Sequence, residues 1–228
     1  MPFHTGFLLF PNITQLDMTG PYEVFTKFPD SRVHLLWKTL DPVTAAGGMQ
    51  LLPSTTFADC PQLDLVCVPG GAGMNALLND EEVLDFLRRQ APGARYVTSV
   101  CTGSLVLGAA GLLRGRRATT HWMSLPMLAA FGCEPVAERV VVDGEIVTGG
   151  GVTAGIDFAL TVAGELLGAE AAQQIQLGIE YNPAPPFDAG SPERAAPAVV
   201  AAAREAAAAR QTEREVEVER AVARLAGG

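Results

Sequence analysis

Short runs of apolar residues alternate along this chain with stretches in which apolar residues recur at helical spacing. Continuous apolar runs rich in Phe, Val, Leu and Ile are typical of strands buried in a parallel sheet. Such runs predict buried strands at residues 3–10, 32–38, 63–69 and 96–100. Because helical stretches separate these strands, the pattern predicts an α/β fold, a doubly wound sandwich of one sheet between helices.

Turn signals and helical periodicity place most of the remaining elements. Gly47-Gly48 and Asp143-Gly144 predict the turns of two hairpins. Pro21 favours the first turn of a helix, because its missing N–H is not needed there. The predicted helices cover residues 21–28, 80–90, 104–113, 125–131, 158–167, 170–180 and 198–225.

The last part of the chain differs in composition from the rest. Residues 182–197 are rich in proline and predict an extended arm, and residues 198–225 form a helix of Ala, Glu and Arg. We therefore divide the chain into a catalytic domain at residues 1–181 and an arm with a C-terminal helix at residues 182–228. A helix after such an arm favours packing on a partner subunit, and packing on its own domain is the alternative.

The most abrupt change of pattern lies at Cys101. Only Cys101, Thr102 and Gly103 separate the strand at 96–100 from the following helix. A strand that turns into a helix so sharply predicts a nucleophile elbow, here with a thiol in place of a hydroxyl. The N-terminus of the helix is expected to favour the reactive thiolate. The alternative is a cysteine that is only a small buried side chain.

Composition and charge exclude several classes of function. The chain of 228 residues has a net charge of −9 and a pI near 4.8, which argues against a nucleic-acid partner. It shows no signal segment and no apolar run near the ~20 residues of a membrane span, so we expect no membrane partner and a cytoplasmic protein. The four cysteines and three histidines match no metal-ligand spacing, and no metal is expected.

Two further candidates follow the first and third predicted strands. Asp17 is placed at the same sheet edge as Cys101 by the topology of a parallel sheet, or else it is a turn or cap carboxylate. Gly71 lies in a glycine-rich loop whose backbone N–H could stabilise a developing negative charge, or which is a plain tight turn.

Later segments offer residues for a pocket wall. His121 and Trp122 follow a short predicted strand, and each has a structural alternative, as a histidine bonded to backbone and as a core aromatic. Gly150 and Val152 lie in a loop with three consecutive glycines before a helix. Such a loop could line a site or let the helix shift.

Five segments together resemble the ThiJ/PfpI superfamily of glutamine-amidotransferase-like proteins. The resemblance implies a flavodoxin-like fold, a homodimer and no cofactor. Asp17, the Cys101-Thr102 pair and the arm with its helix look most like the branch that hydrates isocyanides. The segments are Asp17-Met18-Thr19-Gly20-Pro21, Val68-Pro69-Gly70-Gly71, Ser99-Val100-Cys101-Thr102-Gly103, Ala118-Thr119-Thr120-His121-Trp122 and residues 148–157.

The resemblance also implies a reaction and the residues that perform it. An isocyanide, R–NC, is hydrated to an N-substituted formamide through a covalent thioimidate on Cys101. Asp17 supplies the proton and then activates water. Thr102 contributes its backbone N–H and hydroxyl beside the nucleophile, and Gly71 contributes a second N–H. The substrate is then a small-molecule isocyanide.

Two other functions remain open on the sequence. The same motifs resemble the ligand-sensing domain of AraC-type regulators, although few residues follow the arm and the tail is not strongly basic. A redox-sensing or glyoxal-handling protein would also use Cys101 as a thiolate. Thr102 stands where peptidase-like members of the superfamily carry histidine, which weakens protease and amidotransferase functions.

Overall fold

A sheet of seven strands forms the centre of the protein, whose computed structural model describes residues 2–227. Two small two-stranded sheets, β3 with β4 and β8 with β9, lie outside it. In chain order, the strands are β1 (Phe3–Leu8), β2 (Ser31–Trp37), β3 (Val43–Thr44), β4 (Gln50–Leu51), β5 (Thr55–Thr56), β6 (Leu65–Val68), β7 (Tyr96–Val100), β8 (Arg117–Ala118), β9 (Glu134–Pro135), β10 (Val140–Asp143) and β11 (Ile146–Gly149).

The chain winds outward from β1 in both directions. Across the sheet the order is β10-β11-β7-β6-β1-β2-β5, and every neighbouring pair is parallel except the β10–β11 hairpin at one edge. The predicted α/β fold with a mostly parallel sheet is therefore confirmed. The carboxyl ends of β1, β6, β7 and β11 meet at one edge, where open α/β sheets place their sites.

Helices fall into two groups that pack separately. The α1 helix packs against α5, whereas α4 packs against α3 and α7. Within residues 2–227, no helix combines the length and the apolar character that crossing a membrane requires. The helices are α1 (Gln15–Phe25), α2 (Met74–Leu77), α3 (Glu81–Gln90), α4 (Gly103–Ala109), α5 (Ala154–Leu167), α6 (Ala169–Gly178) and α7 (Pro197–Gly227), with 3₁₀ helices at Ala91–Gly93 and Trp122–Phe131.

The start of α1 differs from the prediction. The helix begins at Gln15, so Asp17 lies in its first turn and Pro21 lies inside it. Proline in a helix interior leaves one backbone carbonyl without its usual donor. Here Pro21 packs against α5, where a methyl group added at Gly155 would lie 3.0 Å from the Pro21 Cδ atom. This close contact between helices outweighs the local preference of proline for a first turn.

The elements around residues 104–131 also differ in length. The predicted helix at 104–113 ends at Ala109, and Gly111 follows with a positive φ of 83°. The strand expected to deliver His121 is only Arg117–Ala118, and His121 instead caps the 3₁₀ helix that begins at Trp122.

The C-terminal helix packs on its own domain, which was the alternative to packing on a partner. Ala207, Val218 and Ala221 are buried on one side of α7, which contacts α2, α4 and the 3₁₀ helix at Trp122–Phe131. The Asn79 side chain donates to the Glu217 backbone carbonyl at 3.1 Å. Val199 and Val216 on the same helix are exposed, so contact with a partner subunit stays a prediction.

One glycine allows α4 to begin directly against the sheet. A Cβ atom added to Gly103 would lie 1.9 Å from the carbonyl oxygen of Val68, at the end of β6. No non-hydrogen atoms pack so closely without a covalent bond. The first turn of α4 therefore crosses the end of β6 only because residue 103 has no side chain.

We expect Gly103→Ala to lower the free energy of unfolding by roughly 3 kcal/mol or more, because the methyl group forces the backbone apart. Gly164→Ala is the matched control, since a Cβ at this helical position meets only the Ala172 Cβ atom at 3.9 Å. The control should be neutral or stabilising by up to about 1 kcal/mol. Chemical denaturation of the two variants measures the difference, and equal midpoints would contradict the predicted close packing.

Candidate active site

Loops that follow β1, β6, β7 and β11 enclose a small cavity beside Cys101. Its volume is about 250 Å³, and Cys101, Thr102, Gly71, His121 and Val152 are among the residues that line it. Asp17 lies behind Cys101, fully buried, and does not line the cavity. The structure thus brings together six of the residues that the sequence singled out.

The backbone of Cys101 is held in a conformation that non-glycine residues rarely adopt. Its φ is 55°, in the left-handed region, which is the strained turn expected of a nucleophile elbow. The Cys101 N–H donates to the Gly150 carbonyl at 2.7 Å, and the Thr120 hydroxyl donates to the Cys101 carbonyl at 2.7 Å. Both bonds come from neighbouring segments, so the surrounding fold fixes the direction of the sulfur.

The carboxyl group of Asp17 is held by the loop that follows β6. Its Oδ2 atom accepts a hydrogen bond from the Gly70 N–H at 2.9 Å. Its Oδ1 atom is buried and has no hydrogen-bond partner within residues 2–227. A Cβ atom on Gly70 would lie 2.8 Å from Asp17 Oδ2 and 2.6 Å from the Thr102 nitrogen. Only glycine therefore lets the backbone pass between the carboxyl and the elbow.

Asp17 and Cys101 shift each other's acidity. Burial raises the pKa of Asp17 from 3.8 to about 7, and the Gly70 N–H only partly offsets this rise. Burial and the negative charge of Asp17 raise the pKa of Cys101 to about 12, against the N–H groups of Thr102 and Val152, which lower it. The N-terminus of α4 was expected to favour the thiolate, and the N–H groups there do lower the pKa of Cys101, but desolvation and the nearby acid outweigh them.

The pair therefore carries at most one negative charge near neutral pH. Two acids buried together do not both ionise near neutral pH, so the carboxyl and the thiol together keep at least one proton. Transfer of the thiol proton to Asp17 creates a thiolate and a protonated carboxyl in a single step. Such a pair can attack an electrophile and deliver a proton to it.

Gly71 and Thr102 contact each other directly. The Gly71 N–H donates to the Thr102 hydroxyl oxygen at 3.2 Å. Gly71 was expected to donate to substrate, and that direct role stays a prediction. The N–H groups that act on the sulfur belong to Thr102 and Val152.

The four residues expected to line a pocket divide between two adjoining cavities. His121 and Val152 line both the cavity beside Cys101 and a second one of about 600 Å³, whereas Trp122 and Gly150 line only the second. His121 Nδ1 accepts from the Met123 N–H at 3.3 Å, and burial with the nearby charge of Arg214 lowers the His121 pKa. His121 is therefore a neutral wall residue.

One wall of the cavity comes from α7, which sequence reasoning did not place at the site. Gln211 and Arg214 line the cavity, and Arg214 is only 5% exposed. Helical spacing could have predicted the burial of Arg214, because it lies on the same face of the helix as the buried Ala207, Val218 and Ala221. Within residues 2–227, no cluster of three or more His, Cys, Asp or Glu side chains is arranged to hold a metal ion.

Residues 5–165 match the DJ-1/PfpI family. The chain belongs to the DJ-1/PfpI family. An isonitrile hydratase from Pseudomonas putida is 60% identical over 225 residues, which cover 99% of each chain. A crystal structure of a ThiJ/PfpI family protein from Pseudomonas syringae has a TM-score of 0.93 and 40% identity, covering 96% of this chain and 91% of that one.

These similarities confirm the resemblance that the motifs carried, in its family and in its branch. The chain is also similar to a protein of another functional class. The HTH-type transcriptional regulator GbdR of Pseudomonas aeruginosa is 33% identical over 177 residues, which cover 74% of this chain and 48% of the regulator.

The raised pKa of Asp17 makes stability depend on pH. The folded value of about 7 exceeds the value of about 3.9 in an unfolded chain, so the folded state binds the extra proton between these pH values. The contribution of Asp17 to the free energy of unfolding is fully present below pH 4 and is lost as the pH rises through 7. Asparagine does not ionise, so Asp17→Asn avoids this loss of stability at high pH. The substitution should therefore stabilise the protein more at pH 8 than at pH 4, by up to roughly 4 kcal/mol.

Thermal or urea unfolding of wild type and Asp17→Asn at several pH values measures this difference. The exposed Glu170→Gln is the matched control, because it removes a surface carboxylate and should leave the wild-type slope in place. A difference between Asp17→Asn and wild type that does not change with pH would show that Asp17 is an ordinary ionised carboxylate.

Proposed function

We propose that this chain is an isonitrile hydratase, which adds water to an isocyanide R–NC and releases an N-substituted formamide. The observation that carries the proposal is the buried pair of Cys101 and Asp17. It supplies a nucleophile and a proton carrier in one water-poor place. The full-length similarity to the Pseudomonas putida isonitrile hydratase supports the same reaction.

The first half of the reaction forms a covalent bond to sulfur. Asp17 takes the thiol proton, and the Cys101 sulfur attacks the terminal carbon of the isocyanide. The same carbon then receives the proton from Asp17, which gives a thioimidate, Cys–S–CH=N–R. The sulfur and the hydrogen of the thiol have both added to the same carbon, and no group leaves. Asp17 ends this half as a carboxylate, ready to accept a second proton.

The second half returns the enzyme to its starting state. Water attacks the thioimidate carbon while Asp17 accepts one proton of the water and passes it to the nitrogen of the substrate. Asp17 then accepts the remaining hydroxyl proton of the tetrahedral intermediate. The carbon–sulfur bond then breaks, which releases the formamide R–NH–CHO, and the sulfur recovers its proton from Asp17. The N–H groups of Thr102 and Val152 stabilise the sulfur while it carries negative charge.

We also propose that the protein works as a cytoplasmic homodimer without a cofactor, a nucleic-acid partner or a membrane partner. The net charge of −9 supports the lack of nucleic-acid binding. Leu177 and Phe187 are 81% and 79% exposed, and apolar side chains of this size on the surface support a contact between subunits. The division into residues 1–181 and 182–228 stays a proposal, with α7 serving both the cavity and the dimer.

A ligand-sensing role is the second candidate, because the GbdR regulator shares this region. A sensor binds its ligand without turning it over, and nothing in binding alone requires a proton carrier behind Cys101. An oxidation-sensing role needs an accessible thiol of low pKa. Cys101 is only 6% exposed and its pKa is raised, so the site supports hydration better than oxidation.

Substitutions in the pair test the proposed reaction. We expect Cys101→Ser to lose hydration of an aryl isocyanide, and Asp17→Asn to lose about 100-fold or more in kcat, because the proton route is removed. Cys133→Ser is the matched cysteine control, since Cys133 lies outside the cavity. Formamide appearance is followed by chromatography. Full turnover by Asp17→Asn would exclude the proton-carrying role, and no turnover by folded wild type would favour a sensor.

The covalent intermediate has a defined mass. Because the thiol adds to the isocyanide without a leaving group, we expect rapidly quenched enzyme to gain the whole mass of R–NC on the peptide that contains Cys101. Water attack should be slow in Asp17→Asn, so any adduct that forms should last longer in that variant. Intact-protein and peptide mass spectrometry detect it. Turnover by wild type with no adduct under any quench time would support direct attack by water.

A further inference from the structure

Arg214 is a buried cation that has no buried anion as its partner. Its side chain donates from Nε to Asn75 Oδ1 at 3.0 Å, and from Nη1 to Ser124 Oγ at 2.9 Å and to Gln211 Oε1 at 2.6 Å. All three acceptors are neutral. Within residues 2–227 Arg214 forms no ion pair with a carboxylate, although it is only 5% exposed. Guanidinium groups are always charged in proteins, and a buried charge is costly unless an opposite charge compensates it.

Arg214 lines the cavity of Cys101, and one end of its guanidinium is unused. The Nη2 atom donates to no acceptor in the described chain, and Arg214 lines the cavity together with Arg210, one turn earlier on α7. Arg210 is exposed and also forms no salt bridge among the described residues. Two arginines therefore present free N–H donors to the space in front of the thiol.

Apart from the Cys101 sulfur when it is ionised, the rest of the described cavity wall holds no group that compensates this charge. Of residues 2–227, those that line it include no aspartate and no glutamate, and His121 is neutral. Asp17 lies behind Cys101 and does not line the cavity. The cavity is thus complementary to a small molecule with one negative charge.

We propose that the natural substrate of this site is an isocyanide that carries a carboxylate, and that Arg214 binds the carboxylate together with Arg210. This inference rests on the proposed hydratase function and names its substrate class. A carboxylate matches the planar donor pattern of a guanidinium. The cavity of about 250 Å³ lies below the range of about 300–1,000 Å³ that suits larger ligands, so the carboxylate and the isocyanide belong to one compact skeleton.

The three hydrogen-bond acceptors of Arg214 fix the position of its guanidinium, as recognition of a substrate requires. Asn75 lies on α2, Ser124 lies in the 3₁₀ helix, and Gln211 lies one turn away on α7. Three separate elements thus hold the guanidinium in place at the wall of the cavity. A residue kept only to attach α7 to the domain would not need a charge, since neutral acceptors bind neutral donors equally well.

A matched pair of substrates tests the proposal. Isocyanoacetate and methyl isocyanoacetate share the reacting group and the skeleton, and they differ in the negative charge. We expect wild type to hydrate the carboxylate with a kcat/KM about 10- to 100-fold higher than that of the ester, the value of a charge-assisted hydrogen bond. A ratio of one or less would overturn the proposal while leaving the hydratase function intact. Hydration of an aryl isocyanide but of neither compound would also overturn the proposal, and hydration of none of the three would reject the hydratase function as well.

Arginine variants identify the group that recognises the charge. Arg214→Gln should lower the ratio of the two kcat/KM values by about tenfold or more, and Arg210→Gln should lower it by about threefold, since it is exposed. Arg220→Gln, which removes an exposed arginine of α7 outside the cavity, should keep the wild-type ratio.

Equal losses for both substrates in Arg214→Gln would overturn the proposal and assign Arg214 to the support of α7. If Arg214→Gln fails to fold, the wild-type ratio and the Arg210→Gln ratio decide the outcome. Calorimetric binding of N-formylglycine, the product of the carboxylate substrate, adds a readout without turnover. We expect wild type to bind it more tightly than its methyl ester, and the reverse order would contradict recognition of the carboxylate.

Discussion

The left-handed backbone of Cys101 is the constraint on which the site depends. A non-glycine residue holds this conformation only where its neighbours fix it, and here the Gly150 carbonyl and the Thr120 hydroxyl do so. The junction between β7 and α4 also needs residues without a side chain at two nearby positions. Gly103 lets α4 start against β6, and Gly70 lets the next loop reach Asp17. The glycines of the motifs are therefore parts of one packing arrangement around a single sulfur atom.

Burial of Asp17 and Cys101 sets the acid–base properties of the site. Placing a carboxyl and a thiol together away from water disfavours both negative charges, so the two groups compete for one proton. In water, Asp17 would be a weak base and Cys101 a slow nucleophile. Inside the fold, the pKa values of both groups are raised, and the proposed reaction passes one proton between them. An acid poised near neutral pH is what proton delivery to carbon requires.

Local sequence predicted the parts of the site whose geometry is local. The elbow at Cys101 and the glycine loops follow from a strand, a turn and a helix within a few residues. The start of α1 was missed because the contact of Pro21 with α5 joins residues far apart in the chain. The raised pKa of Cys101 was missed because it depends on burial by segments that are distant in the sequence, and the local strand–helix pattern does not show that burial. Arg214 was missed for the same reason, since its anchors are up to 139 residues away.

The origin of the cavity wall has a consequence for how such a protein can vary. The family match ends at residue 165, whereas the wall with Arg214 belongs to α7, which begins at Pro197. The proposed nucleophile and proton carrier are thus encoded in one stretch of the chain, and the proposed carboxylate-binding surface is encoded in another. On this proposal, a change in the last helix alters which molecules bind while the reaction stays the same. The two properties are open to separate selection.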